Sequence, residues 1–136
     1  MPMTTEDIES YFIRMGVEAE EVDEGTWMIP AADGAAPVVV RVEPPLLLLR
    51  LKVMSLPADE DDAHLGSFFR HLLELNATDI VYGSYGIEQD QLILSHALEL
   101  ETLDFQELRN SYESMTLAAS GHWAGLVKLL PPTHEG

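Results

Sequence analysis

The sequence contains no cysteine and only seven lysines and arginines among its 136 residues. A cysteine nucleophile is therefore excluded. Twenty-four acidic residues against the seven bases give a formal net charge of −17. A charge of this sign repels nucleic-acid phosphates and anionic lipids, which argues against direct binding to nucleic acid or to a membrane. We interpret the acidity as a source of solubility, or as a feature that favours a basic polypeptide partner.

Long apolar runs are also lacking. The longest, Leu46 to Leu49, has the length of a strand segment and is far too short to span a bilayer. Acidic residues (Glu6, Asp7 and Glu9) stand near the N-terminus, where a secretory signal would carry positive charge. We therefore expect a cytoplasmic protein. The length and the 46% hydrophobic content predict a single domain over residues 1–136 with a substantial core.

The first third of the chain predicts a helix followed by a hairpin. Thr4 is a good N-cap, Asp7 stands three residues later, and apolar residues recur at helical spacing until Gly16. We expect a helix over residues 5–15. Strands are predicted over 17–22 and 26–29, joined by the Asp23-Glu24-Gly25 turn.

Two central strands are predicted on either side of Pro44-Pro45, over residues 38–43 and 47–53. Alternation places valines and leucines of both strands on one face. The opposite face carries three of the seven bases together with apolar side chains. We predict that this mixed face binds a partner, through Val39, Arg41, Leu46, Leu48, Arg50 and Lys52. The alternative is a solvated outer face with incidental leucines.

The second half predicts a helix, a hairpin and a long final helix. The first of these helices opens at Pro57 and Asp59 and ends near Asn76, with a buried stripe of Leu65, Phe68, Phe69, Leu72 and Leu73. The hairpin strands are predicted over 79–87 and 91–99. The last helix begins at Asp104 and runs to Pro131, with a kink or an early end near Ser120 as an alternative. This element order favours an α+β fold, a mainly antiparallel sheet with helices on one face.

No combination of residues in the sequence matches a catalytic motif. The Asp59-Glu60-Asp61-Asp62 run with His64 is the best metal candidate, but successive carboxylates point in different directions. We predict no metal, no cofactor and no enzymatic activity. The glycines of Gly83-Ser84-Tyr85-Gly86 are interpreted as relieving crowding or allowing another backbone to approach closely.

The last helix carries two further candidates. His122 lies on its apolar stripe, either as a core-capping histidine bonded to backbone or as a pH-sensitive interface contact. Gly121 and Gly125 place small residues four apart beside Trp123, a spacing that permits close helix approach. Gly121, Trp123 and Gly125 are therefore a candidate dimer contact.

The run from Leu72-Leu73-Glu74-Leu75-Asn76 through Gln91-Leu92-Ile93-Leu94 to Phe105-Gln106-Glu107-Leu108 resembles the YbjN family of small bacterial proteins. That family is similar in fold to the class I type III secretion chaperones of the CesT kind. The resemblance implies an α-β-β-β(-β)-α-β-β-α fold, a homodimer, no enzymatic activity and the capture of polypeptide segments, with a regulatory role for some members.

Two functional hypotheses follow. The first is a dimeric, chaperone-like adaptor that binds a polypeptide by pairing at a sheet edge or through apolar side chains in shallow pockets. The second is a small-ligand sensor, with an apolar pocket between Tyr82, Tyr85, Trp123 and the last helix.

Overall fold

The computed structural model describes residues 3–31, 36–57 and 65–130. Its elements in chain order are α1 (Thr5–Met15), β1 (Glu20–Asp23), β2 (Thr26–Ile29), β3 (Val38–Glu43), β4 (Leu46–Ser55), α2 (Gly66–Thr78), β5 (Ser84–Glu88), β6 (Gln91–Glu99) and α3 (Phe105–Leu129). The strands form a six-stranded antiparallel sheet in the order β1-β2-β3-β4-β6-β5. The predicted α+β class, with its α-β-β-β-β-α-β-β-α order, is confirmed.

Helix α1 begins and ends through its own caps. The Thr4 hydroxyl accepts the Asp7 N–H at 3.2 Å, and the Asp7 carboxylate accepts the Thr4 N–H at 3.0 Å. Two backbone donors that a helix start leaves without partners are thereby satisfied. At the other end Gly16 adopts φ 75°, a left-handed conformation that glycine takes without the cost a side chain would add. These caps explain why the predicted bounds match the observed ones.

The central register is set by β3 and β4, which meet at a cis Pro44–Pro45 turn. Val40 lies opposite Leu49, and both side chains are fully buried on the inward face of the sheet. Since side chains alternate along a strand, the neighbouring residues point outward. The faces predicted from alternation are therefore the observed ones.

All three helices contribute buried side chains to one core on the inward face of the sheet. They come from α1 (Ile8, Phe12), α2 (Phe68, Leu72) and α3 (Leu108, Met115, Leu126). The predicted burial of Leu73 is wrong, since its side chain is 69% exposed. One residue beyond Leu72, it has turned about 100° around the helix axis and away from the core.

Several predicted boundaries are also corrected. Strand β1 begins at Glu20 rather than Val17, and β5 begins at Ser84 rather than Asp79. Helix α2 continues two residues past Asn76, and its predicted start at Pro57 and Asp59 falls partly outside the described residues. Helix α3 continues through Gly121 and Gly125 as one 25-residue helix, so the alternative of an early end is wrong. None of the helices in the described residues is long and apolar enough to cross a membrane.

Candidate functional site

The predicted partner-binding residues lie together on the outward side of β3 and β4. Val39 lies opposite Arg50, Arg41 opposite Leu48, and Glu43 opposite Leu46. On the other side of β4, β6 adds Ala97 opposite Leu48, Ser95 opposite Arg50 and Ile93 opposite Lys52. We call the surface formed by these residues the outer face: Val39, Arg41, Leu46, Leu48, Arg50, Lys52, Ile93, Ser95 and Ala97.

The apolar residues of the outer face are only partly covered. Val39, Leu46, Leu48 and Ile93 are half-buried among their neighbours on the sheet. In the described part of the chain, the buried helix residues all pack on the inward side, against Val40, Leu49 and their neighbours. Within the described residues, the outer face is therefore a mixed apolar and basic surface that no helix covers.

Two of the three bases on the outer face are paired with glutamates of the same chain. Arg41 Nε lies 3.0 Å from the Glu43 carboxylate, and Arg50 Nη2 lies 2.7 Å from that of Glu88. Because β6 separates β4 from β5, the Arg50 side chain crosses β6 to reach Glu88. The basic character expected from the sequence is therefore partly neutralised. Both pairs are more than 40% exposed, so each contributes little to stability.

A groove of about 680 Å³ lies at the end of the outer face nearest β5. Leu48, Ile93 and Ala97 supply apolar lining, Ser84 and Ser95 supply polar groups, and the Arg50–Glu88 pair borders it. The groove is open along much of its length and combines apolar surface with a few hydrogen-bonding groups.

A hydrogen-bonded chain of three side chains lies on the other side of the sheet. Nδ1 of His122 lies 2.8 Å from the Tyr85 hydroxyl, and Nε2 of His122 lies 2.5 Å from Asp79 Oδ2. The imidazole is thus held by two side chains, not by backbone as one interpretation of the sequence predicted. Burial, with the nearby charge of Asp79 adding to it, raises the pKa of Tyr85 to about 12. These hydrogen bonds could not be predicted from the sequence, because Tyr85 and Asp79 lie 37 and 43 residues from His122.

The candidate dimer contact lies on α3. Gly121, Trp123 and Gly125 are all exposed, with Trp123 at 47%. The structure contains one chain, and their role in a dimer stays a prediction.

The residues named for the predicted ligand pocket have different environments. Tyr82 packs edge-on against His96 of β6, while Tyr85 is buried and bonded to His122. Neither tyrosine, nor Trp123, lines the outer groove. His96 lies at the margin of the core, and burial lowers its pKa.

Gly83 has the close backbone approach that the sequence predicted. It adopts φ 90°, and a Cβ at this position would lie 2.7 Å from the carbonyl oxygen of Ser95. Only glycine fits here without a shift of β6.

The described residues offer no metal centre. Within residues 3–31, 36–57 and 65–130, no three histidine or acidic side chains are grouped to hold an ion. The Asp59-Glu60-Asp61-Asp62 run and His64 lie outside the described residues.

In the described residues, three helices pack on one side of an antiparallel sheet, and this arrangement defines an α+β fold with a single helical layer. The model of the CesT_Tir_1 family matches residues 1–130, and the chain belongs to this family. None of the curated proteins matches the chain in sequence. The predicted resemblance to the secretion chaperones is confirmed.

Solved structures show the same fold at low sequence identity. A chain of the ExoU–SpcU heterodimer from the type III secretion system of Pseudomonas aeruginosa has a TM-score of 0.65 and 18% identity, covering 93% of this chain and 99% of that chain. E. coli YbjN has a TM-score of 0.66 and 15% identity, covering 95% and 96%. A chain of the HopA1–SchA chaperone–effector complex has a TM-score of 0.61 and 12% identity, covering 85% and 88%. Chaperones that bind effectors thus share this fold; for this chain, the lack of an enzymatic activity stays a prediction.

Proposed function

We propose that this protein is a non-catalytic, chaperone-like adaptor that binds a polypeptide segment on the outer face of its sheet. The observation that carries the proposal is the half-buried apolar surface around Leu48 and Ile93, which no helix covers in the described residues. A soluble domain that leaves such a surface uncovered commonly uses it for binding. The groove of about 680 Å³ beside it offers room for several side chains of a partner.

The charge distribution supports a polypeptide over other partners. The net charge of −17 disfavours nucleic acid and anionic membranes. The Arg41–Glu43 and Arg50–Glu88 pairs keep ionic groups at the outer face while its centre stays apolar. Apolar contacts with charged groups around them are typical of protein–protein interfaces. The ExoU–SpcU and HopA1–SchA structures are each complexes of two proteins, which supports the same class of partner.

We further infer that the protein acts as a single-domain homodimer in the cytoplasm, with contacts through Gly121, Trp123 and Gly125. The half-exposed Trp123 ring favours this surface. Residues 114–134 form the longest stretch of the sequence without an acidic residue. Two copies of a chain with a charge of −17 repel each other least where acids are missing. The adaptor would have a regulatory role if the polypeptide that it binds is itself a regulatory protein.

Affinity purification from the source cell tests the binding face. The double variant Leu48→Asp/Arg50→Glu places two acids on the β4 part of the outer face. Its control, Ile13→Asp/Arg70→Glu, makes the same charge change at two exposed helix positions, where Ile13 is 78% exposed and the Arg70 side chain 84%. We expect the wild type and the control to retain the same enriched proteins, and the outer-face variant to lose them.

Two results would contradict the proposal. If both variants retain the same partners, the outer face is not the binding surface. If the wild type enriches no protein, polypeptide binding itself is wrong. Circular dichroism of all three proteins separates these results from loss of fold.

Sedimentation tests the dimer. The chain mass is 15.1 kDa, so a wild-type dimer sediments as a species of twice that mass. We expect Trp123→Asp to sediment as a monomer and Ile13→Asp to remain dimeric. A monomeric wild type would refute the dimer without bearing on the outer face.

A further inference from the structure

The sheet has two edge strands, β1 and β5. They differ in the features that hinder another strand from pairing with their outward backbone groups. Among the described residues, β6 is the one strand that pairs with β5. In an antiparallel ladder, alternate residues direct both backbone groups away from the neighbouring strand, where an added strand can bind them. On β5, Tyr85 is such a residue.

Both backbone groups of Tyr85 are bound by one side chain. Its N–H donates to Asn76 Oδ1 at 2.8 Å, and its carbonyl oxygen accepts from Asn76 Nδ2 at 3.2 Å. A neighbouring strand would offer the same pair of groups, one acceptor and one donor, at this point. The carboxamide of Asn76, in the last turn of α2, therefore occupies the place of a pairing strand.

Asn76 is held in this position by the end of its own helix. Asp79 caps α2 three residues later and accepts from His122 Nε2 at 2.5 Å, while His122 Nδ1 lies 2.8 Å from the Tyr85 hydroxyl. Hydrogen bonds thus link Asn76 to Tyr85, Tyr85 to His122 and His122 to Asp79, and the backbone at the end of α2 closes the ring from Asp79 to Asn76. Moving the end of α2 away from β5 would also break the Asp79–His122 contact with α3.

The β1 edge is protected by other means. It has four residues, three of them acidic, and the pairing register shifts between Glu21 and Asp23. Charge, shortness and a bulge all disfavour the addition of a strand. The two edges are thus closed independently.

We propose that Asn76 is a built-in plug of the β5 edge, held in place by the Asp79–His122–Tyr85 chain, so that a polypeptide cannot add to β5 as a strand. A second consequence rests on the proposed function. Because the β5 edge is closed, a polypeptide partner binds at the outer face through side chains. The plug itself requires no partner, and it is tested without one.

Hydrogen exchange at the backbone amide of position 85 tests the plug. The Asn76→Leu variant keeps the branched shape and the number of side-chain heavy atoms but removes both hydrogen bonds. We expect this amide to exchange roughly tenfold faster, while the amides of Leu92 and Leu94 in β6 stay unchanged. The control is Thr78→Ala, which removes a hydroxyl bond to the Glu74 carbonyl in the same helix end without touching β5.

An unchanged exchange rate at position 85 in Asn76→Leu overturns the proposal. A parallel increase in β6 also counts against it, because the effect would then be a general loss of stability. A second variant, Tyr85→Phe, removes only the bond to His122 and leaves Asn76 in place. We expect a smaller increase at the same amide, roughly threefold, and no increase would exclude a role for the ring.

Self-association supplies the second readout. An opened β5 edge can pair with the same edge of another molecule, so Asn76→Leu should form species larger than the wild type as concentration rises. Adding Ile87→Lys, a charge on the same edge, should abolish them. Larger species that persist in the double variant would show that β5 is not the surface involved. Because no partner is present, this result is independent of the purification experiment.

Discussion

The hydroxyl of Tyr85 and Nδ1 of His122 lie 2.8 Å apart, although 37 residues separate them in the chain. This contact joins the edge strand β5 to the second half of α3 and places the phenol near Asp79. Burial, followed by the charge of Asp79, makes ionisation of Tyr85 unfavourable and raises its pKa to about 12.

The pKa of Tyr85 predicts a loss of stability in alkali. In the unfolded chain this phenol ionises near pH 10, whereas in the folded chain it stays protonated to about 12. Between these values the unfolded state binds fewer protons, so the free energy of unfolding falls as the pH rises. Urea titrations at pH 9 and at pH 11.5 measure the difference.

The matched variant for this experiment is Tyr85→Phe, which has no phenol to ionise. Its free energy of unfolding should decline less between the two pH values than that of the wild type. An equal decline would mean that folding does not raise the pKa of Tyr85.

Leu48 and Leu49 are neighbours on β4 that point to opposite faces. Leu49 is fully buried in the core, whereas Leu48 is half-buried on the outer face. We expect Leu49→Ala to lower the free energy of unfolding by about 2–5 kcal/mol through cavity formation, and Leu48→Ala by about 1 kcal/mol or less. Chemical denaturation measures both, and equal losses would contradict the assignment of the faces.

Gly83 and Gly86 form a second matched pair. A Cβ at Gly83 would meet the Ser95 carbonyl oxygen at 2.7 Å, and its φ of 90° is strained for any side chain; a Cβ at Gly86 meets no atom within 4 Å. Gly83→Ala should therefore cost on the order of 1–3 kcal/mol, and Gly86→Ala less than about 1 kcal/mol. Thermal unfolding would contradict this if Gly86→Ala were the more damaging change.

Asp7 reports on the N-cap of α1. Its pKa is lowered from 3.8, first by the Thr4 backbone N–H and then by the Thr4 hydroxyl. Since the folded pKa lies below the unfolded one, the ionised group stabilises the helix above the unfolded value, and this contribution is lost as the pH falls through the folded pKa. In Thr4→Ala, an NMR titration should show the pKa of Asp7 moving part of the way back to 3.8. Thr5→Ala is the control, and an unchanged pKa in Thr4→Ala would exclude a contribution of the hydroxyl.

The order of the elements could be predicted because local signals mark it. Thr4 and Gly16 bound α1 at the predicted residues, and alternation separated Val39 and Leu48 from Val40 and Leu49. Such signals lie within a few residues of the structure they specify. The part of the outer face on β3 and β4 could be predicted for the same reason, whereas its β6 residues follow from the pairing of β4 with β6.

Predictions from local patterns were less reliable where contacts between residues far apart in the sequence determine the environment of a side chain. Leu73 fits a helical stripe, but only the position of the sheet determines how wide the buried stripe is. The sequence indicates no partner for Arg50, yet β5 brings the Glu88 carboxylate to within 2.7 Å of the Arg50 guanidinium. Asn76 reads as a helix stop, and its bonds to Tyr85 appear only when α2 packs beside the sheet edge.

The sequence by itself determined an acidic α+β chain with two-faced central strands and a mixed apolar and basic surface. Composition and periodicity suffice for this, because charge is additive and side chains alternate along a strand whatever their surroundings. The tertiary structure alone decided that the described helices pack on one face of the sheet and that two bases of the outer face are paired. It also decided that hydrogen bonds link Asn76 to Tyr85, Tyr85 to His122 and His122 to Asp79. These contacts join residues far apart in the chain, and only packing of the whole domain brings them within hydrogen-bonding distance.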